Sequence, residues 1–149
     1  MGYYMRFILD DERHVSLDLF ESALKAVDRA YAIERDEKDD IEGVLTYDGD
    51  VYGKIEINHP GDGLFDEEIE ELIDKVNIAA GERKSKVLKV LSGAGNIIAV
   101  QVLFGERASE DTIDKISPLW EWLLANRGGL LQADDEGYYD REGLILEVK

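Results

Sequence analysis

Side chains that could do chemistry gather in the last thirty residues. Asp134, Asp135, Glu136, Asp140 and Glu142 form the densest acid cluster outside a helical segment, interleaved with Gly137, Tyr138 and Tyr139. Two tryptophans, Trp120 and Trp122, stand just before it. A carboxylate buried beside aromatic walls loses hydration, its pKa rises, and it becomes a candidate general base. The candidate ligand- or partner-contacting residues are therefore Trp122, Asp134, Asp135, Glu136, Tyr138 and Tyr139, with Glu136 or Asp135 as the acid–base group of a small-molecule-binding or hydrolytic cleft. No residue is assigned a catalytic role. Trp120 falls on an apolar helical stripe and belongs to the core, whereas Trp122 lies off it and should be partly exposed. Tyr138 and Tyr139 should point to opposite faces of an extended turn, leaving one accessible.

Acid clusters invite a metal, and the templates can be tried in turn. Placing Gly137 at the sharp-turn position of a calcium loop puts Gln132 first and Gly143 twelfth, where an aspartate and a bidentate glutamate are needed. With no cysteine and no HExxH, the two histidines, His14 and His59, lack zinc spacing. Gly93-Ala94-Gly95 fails the dinucleotide fingerprint because Ile98 stands where a third small residue is required and a strand follows. Neither GxxxxGK[ST] nor GxSxG occurs. The sequence thus points to no cofactor and no metal, and leans away from an enzyme.

Charge points towards partners instead. The chain of 149 residues holds 34 acids against 17 bases, a net charge of −17. The excess is spread along its length: residues 1–50 carry 14 acids and 6 bases, 51–100 carry 9 and 6, and 101–149 carry 11 and 5. Direct binding to nucleic acid is disfavoured, because phosphate contact needs a basic patch. Such a field keeps copies apart and soluble, and it also speeds encounter with a basic protein, as in an inhibitor or immunity protein. The expected function is a non-enzymatic, acidic protein-interaction module, with the small-molecule cleft as the alternative. Absence of cysteine and of any apolar run long enough to span a bilayer fits a soluble cytoplasmic protein.

These residues need a scaffold, and periodicity predicts one domain over 1–149. Tyr3–Leu9 reads as a strand; Ser16 caps a helix whose apolar stripe is Leu17, Phe20, Leu24, Val27 and Tyr31. After a charged connector over 34–42, two strands meet at Asp48-Gly49. A second helix is expected over Asp66–Ala79, then a hairpin of Lys84–Leu91 and Asn96–Phe104, with a helix as the competing reading of Lys84–Leu91. The run Asn96–Phe104 is apolar on both faces and should be a central strand beneath helices. A third helix from Ser109 is kinked or restarted at Pro118 and stopped by Arg127-Gly128-Gly129; Leu130–Ala133 and Leu144–Val148 close the chain as strands. The fold class is α+β: a mainly antiparallel sheet with helices on one face, ferredoxin-like βαββαβ followed by a βαββ-like C-terminal part.

The segment VQVLFGERASEDTIDKISPLWEWLLANRGGLLQADDEGYYD resembles the second half of gyrase-inhibitor-like domains, which are built from paired βαββ modules with a small-molecule cleft between them. The likeness covers about the last third. Gly105-Glu106-Arg107 stands where those domains usually carry a Gly-Pro-Tyr-like turn, and the Asp66–Ala79 helix has no counterpart there. No functional residue is carried over. The chain as a whole is similar to other small acidic prokaryotic proteins.

Overall fold

The structure is a computed structural model that describes residues 2–35 and 41–149. Its elements run β1 (Tyr3–Leu9), α1 (Leu17–Val27), β2 (Tyr31–Glu34), β3 (Glu42–Tyr47), β4 (Asp50–Asn58), α2 (Gly63–Ile78), α3 (Lys84–Ser92), β5 (Asn96–Val102), α4 (Ser109–Asn126), β6 (Gly129–Ala133), β7 (Gly137–Asp140) and β8 (Gly143–Glu147). The eight strands of the described residues join one sheet in the order β2-β3-β4-β5-β1-β6-β7-β8, and every neighbouring pair is antiparallel. The α+β class and the antiparallel sheet stand as expected.

Helices cover both faces of that sheet, not one. Phe7 and Leu9 of β1 pack with Phe20, Leu24, Ile116 and Leu123 of α1 and α4, while Ile8 between them packs with Leu72, Val76, Val87 and Leu91 of α2 and α3. Alternation in β5 is the same: Ile98 and Val100 join the first cluster, Ile97 and Ala99 the second. A strand apolar on both faces requires a cover on each, which is why Asn96–Val102 lacks the polar alternation of a half-exposed strand.

Three local readings differ from expectation. Tyr31 lies in β2, because Asp28 ends α1: its backbone N–H reaches Leu24 O at 3.0 Å and its Oδ1 accepts from Ala30 N–H at 3.0 Å, turning the chain. Lys84–Leu91 is helical, since Val87 and Leu91, four apart, both face the second core. The chain therefore opens βαβββααβ instead of the ferredoxin-like βαββαβ; the expected C-terminal βαββ corresponds to β5, α4, β6 and β8, with an additional strand, β7, formed within the expected acidic turn and lying between β6 and β8. Pro118 sits inside α4, which runs unbroken from Ser109 to Asn126, and the neighbouring Ser117 hydroxyl donates to Ile113 O at 2.8 Å. Ser16 caps α1 as predicted, its Oγ accepting from Leu19 N–H at 3.1 Å. Asp48 and Gly49 turn the β3–β4 hairpin with φ of 52° and 85°. Most of the charged connector over 34–42 lies outside the described residues.

Candidate functional site

A groove opens where α4 crosses the sheet beside β6 and β7. Residues 113, 117, 120 and 124 recur at helical spacing, so α4 contributes Ile113, Ser117, Trp120 and Leu124 to one wall. Strand register supplies the other: Met5 pairs with Ala133, and Leu131 with Tyr139, which brings β1, β6 and β7 side chains to a common face. The cavity is about 320 Å³. Its walls are mostly apolar, and the carboxylates of Glu121, Glu136 and Asp140 stand among its lining residues with no basic side chain among them.

Glu136 is held by two phenols. Tyr139 donates its hydroxyl to Glu136 Oε1 at 2.6 Å, and Tyr3 donates to Glu136 Oε2. That hydrogen bond, followed by burial and the nearby charge, raises the Tyr139 phenol to about 12. Burial first, then the bond to Glu136, raises the Tyr3 phenol as well. Among the described residues no lysine, arginine or histidine forms an ion pair with Glu136. Asp140, by contrast, is occupied: its Oδ1 accepts from Glu142 N–H at 2.8 Å and its Oδ2 lies 3.4 Å from Lys86 Nζ. Burial pushes that carboxyl up, but these partners outweigh it and hold the pKa below the ordinary value. Trp120 is almost fully buried, and its indole Nε1 has no hydrogen-bond partner among the described residues.

The predicted contact residues divide between the two faces. The turn after β6 sets Asp135 at φ 63° and exposed, with Glu136 N–H bonded to Ala133 O at 3.2 Å. Because β7 is extended, Tyr139 packs against the α1–α4 core and Tyr138 against the α2–α3 core. Tyr139 is the half-buried one of the pair, and Tyr138 is buried. Trp122 is half-buried as expected, but it packs edge-on against Phe20, ring centroids 6.3 Å apart, and is not a wall of the groove.

Asp134 serves structure on the α2 side. Arg6 reaches Asp134 Oδ1 at 2.9 Å, Gln132 Oε1 at 2.8 Å and Glu68 Oε2 at 3.0 Å, while Tyr4 N–H donates to Asp134 Oδ2 at 3.0 Å. Burial alone would lower the Arg6 pKa, yet Glu68 and Asp134 raise it. With its oxygens engaged in this way, Asp134 is tied into the sheet and separated from Glu136.

His59 is bound through Nδ1 to Asn96 Oδ1 at 2.6 Å. Among the described residues no group of three or more His, Asp or Glu side chains is arranged to hold a metal. No helix among the described residues is long and apolar enough to cross a membrane.

Sequence reasoning located Glu136 and Tyr139 but missed Tyr3, Met5 and Leu131. Met5 and Leu131 reach the groove, and Tyr3 reaches Glu136, through the placing of β1 beside β6 and of β6 beside β7, which local periodicity does not encode. A weak signal existed in Tyr3, an aromatic residue at the start of an apolar strand. Comparison with known proteins gave no matching family model, no matching curated protein and no matching solved structure.

Proposed function

We propose that this chain is a non-enzymatic binding module whose acidic surface meets a basic protein partner, with the groove between α4 and the β6–β7 turn as the contact centre. One observation carries the reading: an apolar recess lined by carboxylates and no base, in a chain of net charge −17. Complementary potential would speed the encounter, and the recess would accept an anchoring side chain of the partner. Its volume of about 320 Å³ lies at the lower end of small-molecule pockets, which span roughly 300–1,000 Å³. A single side chain fits that size better than an extended metabolite. The second reading, a small-molecule site, is favoured only by the concavity itself.

Affinity recovery from a native lysate, run in parallel with the native chain and Leu124→Arg, tests the proposal. A basic protein retained by the native chain at low salt, released at high salt and lost with Leu124→Arg is the expected result. Equal recovery by both chains, or none by either, would overturn it.

A further inference from the structure

The site has a property that a general acidic surface lacks: one carboxylate fixed in place and left without a cation. Glu136 takes a phenol hydroxyl on each oxygen, from Tyr139 and Tyr3, so its position is set before any partner arrives. A carboxylate has about four acceptor sites, and two phenols leave about two of them open. Phenols share no formal charge with it. Of the other lining acids, Asp140 already has Lys86 and Arg83 beside it, and Glu121 is exposed on α4. Among the described residues Glu136 is therefore a lining acid held by two phenols and without an ion-pair partner, and it borders an apolar wall built by Leu124, Leu131 and Trp120.

We infer that the groove is a receptor for a primary alkylammonium group, the side chain of a lysine on the partner, with Glu136 as its counter-ion. The inference rests on the binding-module reading and names what that module recognises. A lysine combines the two chemistries present: a four-carbon apolar stem that packs along Leu124 and Leu131, and a compact charge that donates to one carboxylate oxygen at a time. Arginine suits the site less well. Its planar fork is strongest when both oxygens of one carboxylate are presented together, and here each oxygen already accepts a phenol. Anionic ligands are repelled by Glu121, Glu136 and Asp140.

The chain offers its own reporter, because it has two tryptophans and only Trp120 lines the groove. Hexylammonium would be titrated into the full chain while the two indole N–H signals are followed by nitrogen–proton NMR, with Trp122→Phe identifying which is which. A saturable shift of the Trp120 signal with hexylammonium, weaker by about fivefold in Glu136→Gln, is the expected result. Hexanol and hexylguanidinium should bind measurably less. Equal binding of hexanol would show a merely apolar recess and would overturn the assignment, as would undiminished binding by Glu136→Gln or preference for the guanidinium. Glu136 is exposed, and glutamine can accept one phenol on its carbonyl oxygen and donate its amide N–H to the oxygen of the other, so the variant should keep the fold. A basic partner recovered in the affinity experiment without any hexylammonium response would defeat this inference alone; a specific hexylammonium response with no basic partner would defeat the protein-partner reading alone.

Discussion

Arg6 and Asp134 join β1 to the end of β6 through a 2.9 Å ion pair, and the same guanidinium also holds Glu68 of α2 at 3.0 Å. One side chain thus ties two strands to the helix that covers them. Removing it would leave two partly buried carboxylates facing each other without a cation. The three side chains are only 15–27% exposed, so Arg6→Ala should cost about 2 kcal/mol, somewhat less than for a fully buried pair. Urea denaturation checks this, and a loss below about 0.5 kcal/mol, the range of an exposed pair, would contradict it.

Tyr138 presents the opposite case. Its hydroxyl is buried with no hydrogen-bond partner among the described residues, while its ring packs in the α2–α3 core. An unsatisfied buried hydroxyl costs stability, so Tyr138→Phe should leave stability unchanged or raise it by about 1 kcal/mol. A loss greater than that in thermal or urea unfolding would mean that the hydroxyl has a partner in solution.

Alkaline titration should separate the tyrosines. The Tyr31 phenol is raised to about 12, chiefly by burial and then by Tyr47 and Asp28, and the Tyr139 phenol to about 12, chiefly by its bond to Glu136. Phenols whose folded pKa lies above the ordinary value near 10 favour the folded state fully below about pH 10. That contribution is lost as pH rises through about 12. Stability should therefore fall across the interval between those two values. Phenolate absorbance of the native chain should rise later than that of the urea-unfolded chain, and Tyr139→Phe should remove one late step. Coincident native and unfolded titrations would refute the burial and hydrogen bonding described for these residues.

Gly129 begins β6 with φ 138°, and a Cβ there would come within 2.0 Å of the Ile8 carbonyl oxygen. Gly61 also has positive φ, 89°, but its Cβ would meet open space. Gly129→Ala should cost about 3 kcal/mol, since the strand must move off β1, whereas Gly61→Ala should cost about 1 kcal/mol for backbone strain alone. Similar midpoints for the two variants in thermal unfolding would rule out the close approach of β6 to β1.

Much of the fold was legible because local chemistry and tertiary packing agree. Ser16, Asp48-Gly49 and the Arg127–Gly129 stop do in the structure what their residue types predict. Tyr31 misled because it continues the three-and-four spacing of α1, while the Asp28 turn that ends the helix is a single polar side chain. Lys84–Leu91 was ambiguous because two apolar residues four apart can be read as a strand or as a short helix. Helices on both faces were foreshadowed by the doubly apolar β5, but nothing in α1, α2 or α4 alone says which face each one takes. At the candidate site, Glu136 and Tyr139 stood out by type. Tyr139 parts from Tyr138 through the two-residue period of a strand only four residues long, and Glu136 from Asp134 through the turn at Asp135, inside what composition marks as a turn.

The position of β1 bears on how the chain is made. Met5 pairs with Val100 on one side and Ala133 on the other, so β1 finds both neighbours only after more than a hundred further residues have been added. Such high contact order slows folding, since the long loops must close before the pairing rewards them. Until β5 and β6 emerge, Phe7, Ile8 and Leu9 present an unpaired apolar edge, and the nascent chain is at its most prone to aggregate. Synthesis and sheet assembly are thereby coupled: β1 cannot be completed as the sheet's centre before residue 133 is available.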